Sequence, residues 1–402
     1  MRVWFMTHRL PYAPNRGDRI RAYHILQWLH RRAEVDLLSL VHDTAEEQAA
    51  AQMSRRAASV HTAMVPRWRN RLCGLAALPT GRPLTLSLLD APALEATLRS
   101  LRRERRPDVV LAYCSSMAAH AMNPVLDGVR YVLDMVDVDS AKWQSLAERG
   151  RWHQRPIYAR EARTLRTFER RAMRAAHSTI GINERESQAL REIDPEATVV
   201  TIGNGVAFDS FTAPSIRLET ASVVFCGVMD YAPNEAAALR LIQNIWPLVR
   251  LQRPDATLWL VGTGPSERMR AAARGEASIH ITGSVPDVRP YLWRSAVAAA
   301  PLLTARGVQN KVLEALAAGL PVVVSPVVAE GLPPCVEPGV AVAGSDSEFA
   351  QAVCRLLALL PSERRQMAAA ADLKPLTWER QLEPLWGLLT AAAEEGGRRR
   401  SA

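Results

Sequence analysis

Short apolar runs rich in β-branched residues alternate with longer helix-patterned stretches almost from end to end of the chain, and that alternation leaves few folds open. In the first half the runs are Val3–Thr7, Val35–Val41, Val60–Val65, Val109–Tyr113, Tyr131–Asp137, Thr179–Ile182 and Thr198–Ile202, with helical patterns such as Arg19–Arg31, Ala45–Arg56 and Ile157–Ala176 between several of them. Runs that are apolar at every position predict strands buried on both faces, hence a parallel sheet covered by helices. The pattern then restarts with Val223–Gly227, a helix over Glu235–Arg250, strands at Leu258–Val261 and Ile279–Thr282, a helix at Val288–Ser295 and a strand at Val297–Leu302. A helix at Asn310–Ala318, a strand at Val322–Ser325 and further helices complete it, and the break falls where Phe208–Ser215 loses its period and carries Pro214. The chain is therefore expected to be α/β, with two Rossmann-like, doubly wound domains facing across a cleft. Their expected extents are 1–210 and 211–375. Residues 376–402 would form a helix returning to the first domain and a basic tail that frays. At 402 residues the chain can bury two such cores.

Composition narrows the class. Apolar residues make up 48% and charged ones 23%, as in an ordinary soluble globular protein. The five cysteines are scattered, without zinc-type spacing, which suits reduced thiols in a cytosolic protein. Val3–Met6 is too short for a signal sequence, and the uncharged stretch Ala315–Ala329 falls short of the roughly 20 residues a membrane span needs. A cytoplasmic protein is expected. The net charge of +9 suits peripheral contact with the anionic inner face of the plasma membrane, or simply a solvated arginine-rich surface. No nucleic-acid partner is expected, because no binding module is recognisable and the basic runs lack interleaved aromatics.

In open parallel sheets, ligands sit at the carboxyl ends of strands, so the residues that follow strands carry the functional information. The most informative stretch is Ala305–Val323. Gly307 allows a close turn, a helix begins near Gln309 and Asn310, and its free N–H groups make an anion site. Lys311 stands in the first turn, where the dipole favours acidic residues, and makes better sense beside an anion such as a diphosphate. Glu314, on nearly the same face, could accept hydrogen bonds from two vicinal ribose hydroxyls. The plainer reading is a Lys311–Glu314 surface pair worth about 0.2–0.5 kcal/mol.

The segment resembles the donor-binding helix of family 4 glycosyltransferases of the GT-B fold. The resemblance extends over Gly203-Asn204-Gly205-Val206, Phe225–Asn234 with Gly227, Leu260–Pro265 and Ile281–Leu292. Taken with Met135–Trp143, it looks like the exopolysaccharide-associated branch found beside the PEP-CTERM/exosortase system. It implies sugar transfer from a nucleoside-diphosphate sugar to a glycan or lipid-linked acceptor, with retention of configuration. It implies a co-substrate rather than a cofactor. It assigns Glu314 to the donor ribose, the loop carrying Gly283, Val285 and Asp287 to the nucleobase, and the loop from Arg306 to Lys311 to the diphosphate. Asn204, Gly205 and Gly227 would line the same donor. Two departures stand out. The first of the family's paired glutamates would fall at position 306, which is arginine, and Val228–Asn234 lacks the basic pair that relatives use on the diphosphate. Lys311, with Arg306, is expected to take that duty.

In the first domain, the polar loop after the first strand leads through Gly17, with Asp18 as an N-cap, into a helix where Arg19 and Arg21 either face an anionic acceptor or lie exposed. Asp134, Asp137 and Asp139 surround the fifth strand's end. Asp137 or Asp139 is expected to act as general base or to orient the acceptor, or Asp139 merely to cap a helix. The matching position for a histidine common in relatives is Val136. Asp137-Val138-Asp139 also spells a metal-binding DxD, but a helix terminus with Lys311 would already stabilise the leaving group, so no metal is expected. A sugar-nucleotide epimerase and a nucleotide-sugar binder without transferase activity remain alternatives.

Overall fold

The computed structural model describes residues 1–12, 17–212, 221–305 and 308–401. Contacts divide the chain into two compact units, one of Met1–Gly205 with Trp378–Ala402, the other of Val206–Thr377. The division falls earlier than residue 210 because the Val206 N–H donates to the Leu376 carbonyl at 2.9 Å, tying residue 206 to the second unit. Much of the aperiodic stretch expected at the junction, Pro214 included, lies outside the described residues.

The first unit holds a sheet of β1 (Arg2–Thr7), β2 (Glu34–Val41), β3 (Ser59–Met64), β4 (Val109–Tyr113), β5 (Arg130–Val136), β6 (Ser178–Gly181) and β7 (Val199–Thr201), in the order β3-β2-β1-β4-β5-β6-β7. The second holds β8 (Ser222–Cys226), β9 (Thr257–Val261), β10 (Ile279–Ile281), β11 (Val297–Ala300), β12 (Val322–Val324) and β13 (Val340–Val342), in the order β10-β9-β8-β11-β12-β13. All pairings are parallel. Each sheet reverses direction of growth between its first and fourth strands, β1/β4 and β8/β11, which is where doubly wound sheets open a crevice for ligands.

Central strands are buried at every residue, as β4 and β11 are, while the edges β7, β10 and β13 are only partly covered. The expected helix over Glu235–Arg250 is broken: Ala232–Arg240 gives way to a π-turn at Leu241–Ile245 before Trp246–Gln252. Pro247, which lacks an N–H, accounts for the interrupted ladder. The C-terminal helix Glu383–Ser401 packs on the first sheet, burying Leu385, Leu389 and Ala392 in the cluster that holds Phe5 and Leu111. Its end is pinned rather than frayed at Glu395, which accepts from His177 Nδ1 at 2.8 Å and lies 3.2 Å from Arg130 Nε. His24 stacks on Trp378 at 4.4 Å, and burial lowers its pKa to about 4, so it is a neutral packing residue.

Two buried glutamates on the helix Arg155–Ala175 position shorter helices. Glu161 accepts from the N–H groups of Leu84 and Thr85 at the start of the helix Leu84–Leu88. Glu169 accepts from Ser140 N at 3.0 Å and from its hydroxyl, holding the first turn of the helix Asp139–Arg149. Carboxylates suit helix N-termini because they satisfy orphan N–H groups and complement the dipole. Burial pushes the Glu169 pKa from 4.5 to about 7, against the opposing pull of Ser140. A folded value above the unfolded one means that the stability this group contributes is full below about 4.5 and lost as pH rises through about 7. Glu169→Gln keeps an acceptor for Ser140 and cannot ionise. Urea unfolding between about pH 5 and pH 7.5 is expected to show the parent losing on the order of 3 kcal/mol more stability than this variant.

Candidate functional site

In the second unit the ends of β8 and β9 approach unusually closely. Gly227 N donates to Val261 O at 3.0 Å, and Met229 N to Thr263 O at 2.7 Å. At Gly262, with φ +146°, a Cβ would lie 1.7 Å from the Gly227 carbonyl oxygen, so only glycine fits. Gly264, at φ +70°, faces Asp230, whose Cγ would lie 2.9 Å from an added Cβ.

Beside this junction stands Lys311, in the first turn of the helix Asn310–Ala317. Its Nζ donates to Asn234 Oδ1 at 2.5 Å and lies 4.6 Å from the centre of the Phe225 ring. The Asn234 amide is oriented by donating its own Nδ2 to the Val228 carbonyl at 2.8 Å. A side chain at Gly227 would meet both Asn234 and Lys311, at 3.0 and 3.3 Å, so the glycine leaves the ammonium its space. Burial lowers the Lys311 pKa to about 8, with Cys226 and Glu314 pulling the other way. Burial raises Glu314, partly offset by Lys311. Burial also pushes the Cys226 thiol up to about 12, which makes it an inert neighbour rather than a nucleophile. Lys311 and Glu314 are thus half-buried groups at a strand end, not the exposed surface pair of the plainer reading.

The helix's N-cap residue, Gln309, is extended and makes no side-chain cap, and the first turn carries no acid. Asn310 is exposed. Arg306 and Gly307 lie outside the described residues. In the loop after β10, Gly283 has φ +70° with open space around it, and Val285 is half-buried. Asp287 is held below the usual carboxylate range by Arg289, whose guanidinium approaches to 2.8 Å. It also accepts from Arg289 N, so its carboxylate is taken up within its own loop. Asn204 and Gly205, expected beside the donor, belong to the first unit, where Asn204 Oδ1 accepts from Arg21 Nη1 at 3.0 Å. Sequence reasoning treated Val228–Asn234 as a stretch without a base and missed Asn234, although its place after Pro233 at a helix start was a usable signal.

In the first unit, Cys114 after β4 and Val136 at the end of β5 have φ of +67° and +63°. For a β-branched residue this is a genuine backbone outlier, and such strain gathers at functional sites. A register shift between Asp134 and Val136 accompanies it. His8 Nδ1 lies 2.8 Å from Cys114 Sγ, and its ring stacks on Tyr113. Burial pushes the Cys114 thiol well above its usual range, with Asp139 adding to the rise. Just beyond Val136, Lys142 Nζ bridges the two candidate carboxylates, 2.9 Å from Asp137 Oδ2 and 3.2 Å from Asp139 Oδ1. Ser115 Oγ donates to Asp139 Oδ2 at 2.7 Å. Asp139 is the helix's first residue, with Val138 as the N-cap, so the capping reading does not hold.

The expectation for Arg21 is corrected. It is 1% exposed and buried against Asp134, with Nε 2.9 Å from Oδ2 and Nη1 donating to Gly203 O at 3.1 Å. A buried carboxylate demands a partner of this kind, and Arg21 sits on the inward face of its helix. Burial still raises Asp134 despite the guanidinium. Arg19 donates to Glu46 at 2.6 Å and is largely covered. Gly17 opens the helix Gly17–His30, which places Asp18 inside it rather than at its cap.

Residues 220–359 match the family described as "Glycosyl transferases group 1", and residues 16–205 match "Glycosyl transferase 4-like domain". No curated protein sequence matches the chain. Among solved structures, HepE from Anabaena in complex with UDP and glucose is similar at 13% identity and TM-score 0.62, covering 97% of this chain and 100% of that one. A glycosyltransferase from Rickettsia africae is similar at 10% identity and TM-score 0.61, covering 97% and 98%. The α,α-trehalose 6-phosphate synthase of Burkholderia multivorans is similar at 13% identity and TM-score 0.60, covering 98% and 99%. Among the described residues no helix is long and apolar enough to cross a membrane. With two doubly wound parallel sheets and family matches over most of its length, the protein is a GT-B glycosyltransferase of the group 1, family 4-like kind.

Proposed function

We propose that the protein transfers a sugar from a nucleoside-diphosphate sugar to a glycan or lipid-linked acceptor, with retention, in exopolysaccharide or cell-surface polysaccharide synthesis of the PEP-CTERM/exosortase-associated type. The observation that carries the donor half is the desolvated Lys311 ammonium at the Gly227–Gly262 junction, with Glu314 one turn further along the same helix. A diphosphate there would restore to Lys311 the electrostatic partner that burial denies it, and would meet the positive end of the same helix's dipole. That is the stabilisation a departing nucleoside diphosphate needs as positive charge builds on the sugar ring. Glu314 accepts the ribose hydroxyls. The likeness to HepE, solved with UDP and with UDP-glucose, supports a nucleotide-sugar donor.

On the acceptor side, Asp137 or Asp139 takes the proton of the attacking hydroxyl, with Lys142 and Ser115 fixing the carboxylates. An ammonium already seated between them argues against reading the pair as a metal-binding DxD, and the reaction needs no cofactor on this reading. Arg21, buried against Asp134, does not face the acceptor. The enzyme works in the cytoplasm, with peripheral contact at an anionic membrane face. A second reading, a nucleotide-sugar binder without transfer, is favoured by Arg306 standing where the resemblance expects a glutamate.

Two measurements test the site. If the protonated Lys311 holds the diphosphate, UDP affinity by calorimetry should fall about tenfold per pH unit above about 8. Lys311→Ala should weaken it by about ten- to a hundredfold and remove the pH dependence. Affinity unchanged by that substitution would remove the lysine from the site. Turnover in Asp137→Asn and Asp139→Asn should drop by about a hundredfold or more in whichever variant loses the base. Activity kept by both would leave the pair as structural partners of Lys142, and donor bound without transfer to any acceptor would favour the second reading.

A further inference from the structure

The helix Arg67–Ala77 carries its large apolar residues on the wrong side for packing. Its inward face is small: Asn70, Gly74 and Ala77 are buried, and Asn70 Nδ2 donates to the carbonyls of Leu88 and Asp90 at 2.9 and 2.8 Å. A Cβ on Gly74 would come within 3.4 Å of Leu88, so the helix lies close to the chain beneath it. Facing outward are Trp68, Leu72 and Leu75, which are 80%, 68% and 64% exposed. At helical spacing these three fall within an arc of about 60°, with Arg67 and Arg71 along one flank and Arg69 along the other. The Arg71 guanidinium lies 5.3 Å from the Trp68 ring centre, and Arg69 is held by Asp90 at 2.8 Å.

A second outward cluster stands nearby. Trp152 is 82% exposed, Leu146 and Ile157 are also exposed, and Arg151 and Arg155 accompany them. The two stretches are tied together by Arg160, three residues past Ile157. Its guanidinium donates to the carbonyls of Ala77, Leu78, Thr80 and Arg82 at the end of the first helix. Single exposed apolar residues are ordinary, but an aligned stripe of large ones rimmed by arginine marks a contact surface. Arginine can extend its charged head past an apolar stem, tryptophan favours the boundary between apolar and wet regions, and anionic headgroups attract the cationic rim. A second copy of this chain would set arginine rim against arginine rim, which like-charge repulsion opposes.

We propose that the helix Arg67–Ala77, with the Trp152 corner beside it, is the surface through which the first unit docks on an anionic lipid bilayer, Trp68, Leu72 and Leu75 entering the interfacial layer beneath the arginines. This gives the peripheral contact proposed above its place on the chain, and it stands independently of the transfer reaction. The test is co-sedimentation of the full chain with vesicles of phosphatidylcholine, with and without phosphatidylglycerol. Binding is expected only with phosphatidylglycerol and should weaken as salt is added. It should fall about tenfold or more in the combined Trp68→Ser, Leu72→Ser, Leu75→Ser variant and, separately, in the combined Arg67→Gln, Arg71→Gln variant. Unchanged melting temperature and UDP binding in both variants would show that the fold and donor site are intact. The proposal is overturned if the parent ignores anionic vesicles, if both variants bind as the parent does, or if the stripe instead mediates a dimer or protein complex that the serine variant abolishes without any vesicle binding. Absence of UDP binding by the parent would count against the donor site alone and leave the vesicle result standing.

Discussion

A half-buried ammonium group needs a reason, and in the second unit the glycines, Phe225 and Asn234 around Lys311 hold it in place. Lys311 has a phenylalanine ring on one side and a neutral amide oxygen on the other. Neither supplies a full counter-charge. Glu314 is near enough to pull on its pKa but is itself partly desolvated, so both groups sit away from their ordinary values in opposite directions. Such a pair is poised rather than satisfied, and an anion arriving at the helix start would relieve the lysine and free the carboxylate to accept hydroxyl hydrogens. The arrangement requires the strand ends to be bare. With any side chain at Gly262 the β9 loop could not rest on the Gly227 carbonyl, and with one at Gly227 the lysine would be displaced.

The first unit reaches its own strand ends by different means. There the backbone itself is strained, at Cys114 and Val136 on neighbouring strands, and the surrounding packing must hold that strain. Asp134, buried just before the shift in register, is anchored by Arg21 from the first helix and so fixes where β5 turns out of the sheet. Glu169 then holds the following helix by its first turn, which sets the direction of Asp139 and brings Lys142 back over both carboxylates. The bonds of Arg21 to Asp134 and of Glu169 to Ser140 join residues far apart in sequence, and the carboxylate pair rests on both.

That dependence explains what could be read from the sequence. Central strands such as β4 and β11 declare themselves as continuous apolar runs, and the restart of the pattern after residue 220 shows that the fold is built twice. Lys311 and Glu314 were legible because a cation in a helix's first turn contradicts the dipole unless something else is present. Arg21 was not, since an arginine flanked by Arg19 and Tyr23 at the start of a polar helix gives no local sign that it points inward to a carboxylate more than a hundred positions away. The edge strand β13 is three residues, none of them buried, and the helix Asp139–Arg149 is absent from the sequence expectation, because boundaries set by Glu169 and by tertiary packing leave little trace in periodicity. Asn234 matters through its orientation, which follows from its bond to the Val228 carbonyl.

The two sheets carry opposite charges at their strand ends. Where β4 and β5 end, the first sheet gathers the carboxylates Asp137 and Asp139, bridged by Lys142. At β8/β11 the second sheet gathers Lys311 and the start of its helix, with Glu314 beside them. On the proposed reading the two sets suit different tasks, because the attacking hydroxyl loses a proton while the leaving diphosphate gains negative charge. On that reading each set is tuned by its own burial and its own counter-charge, Asp139 by Lys142 and Lys311 by Glu314.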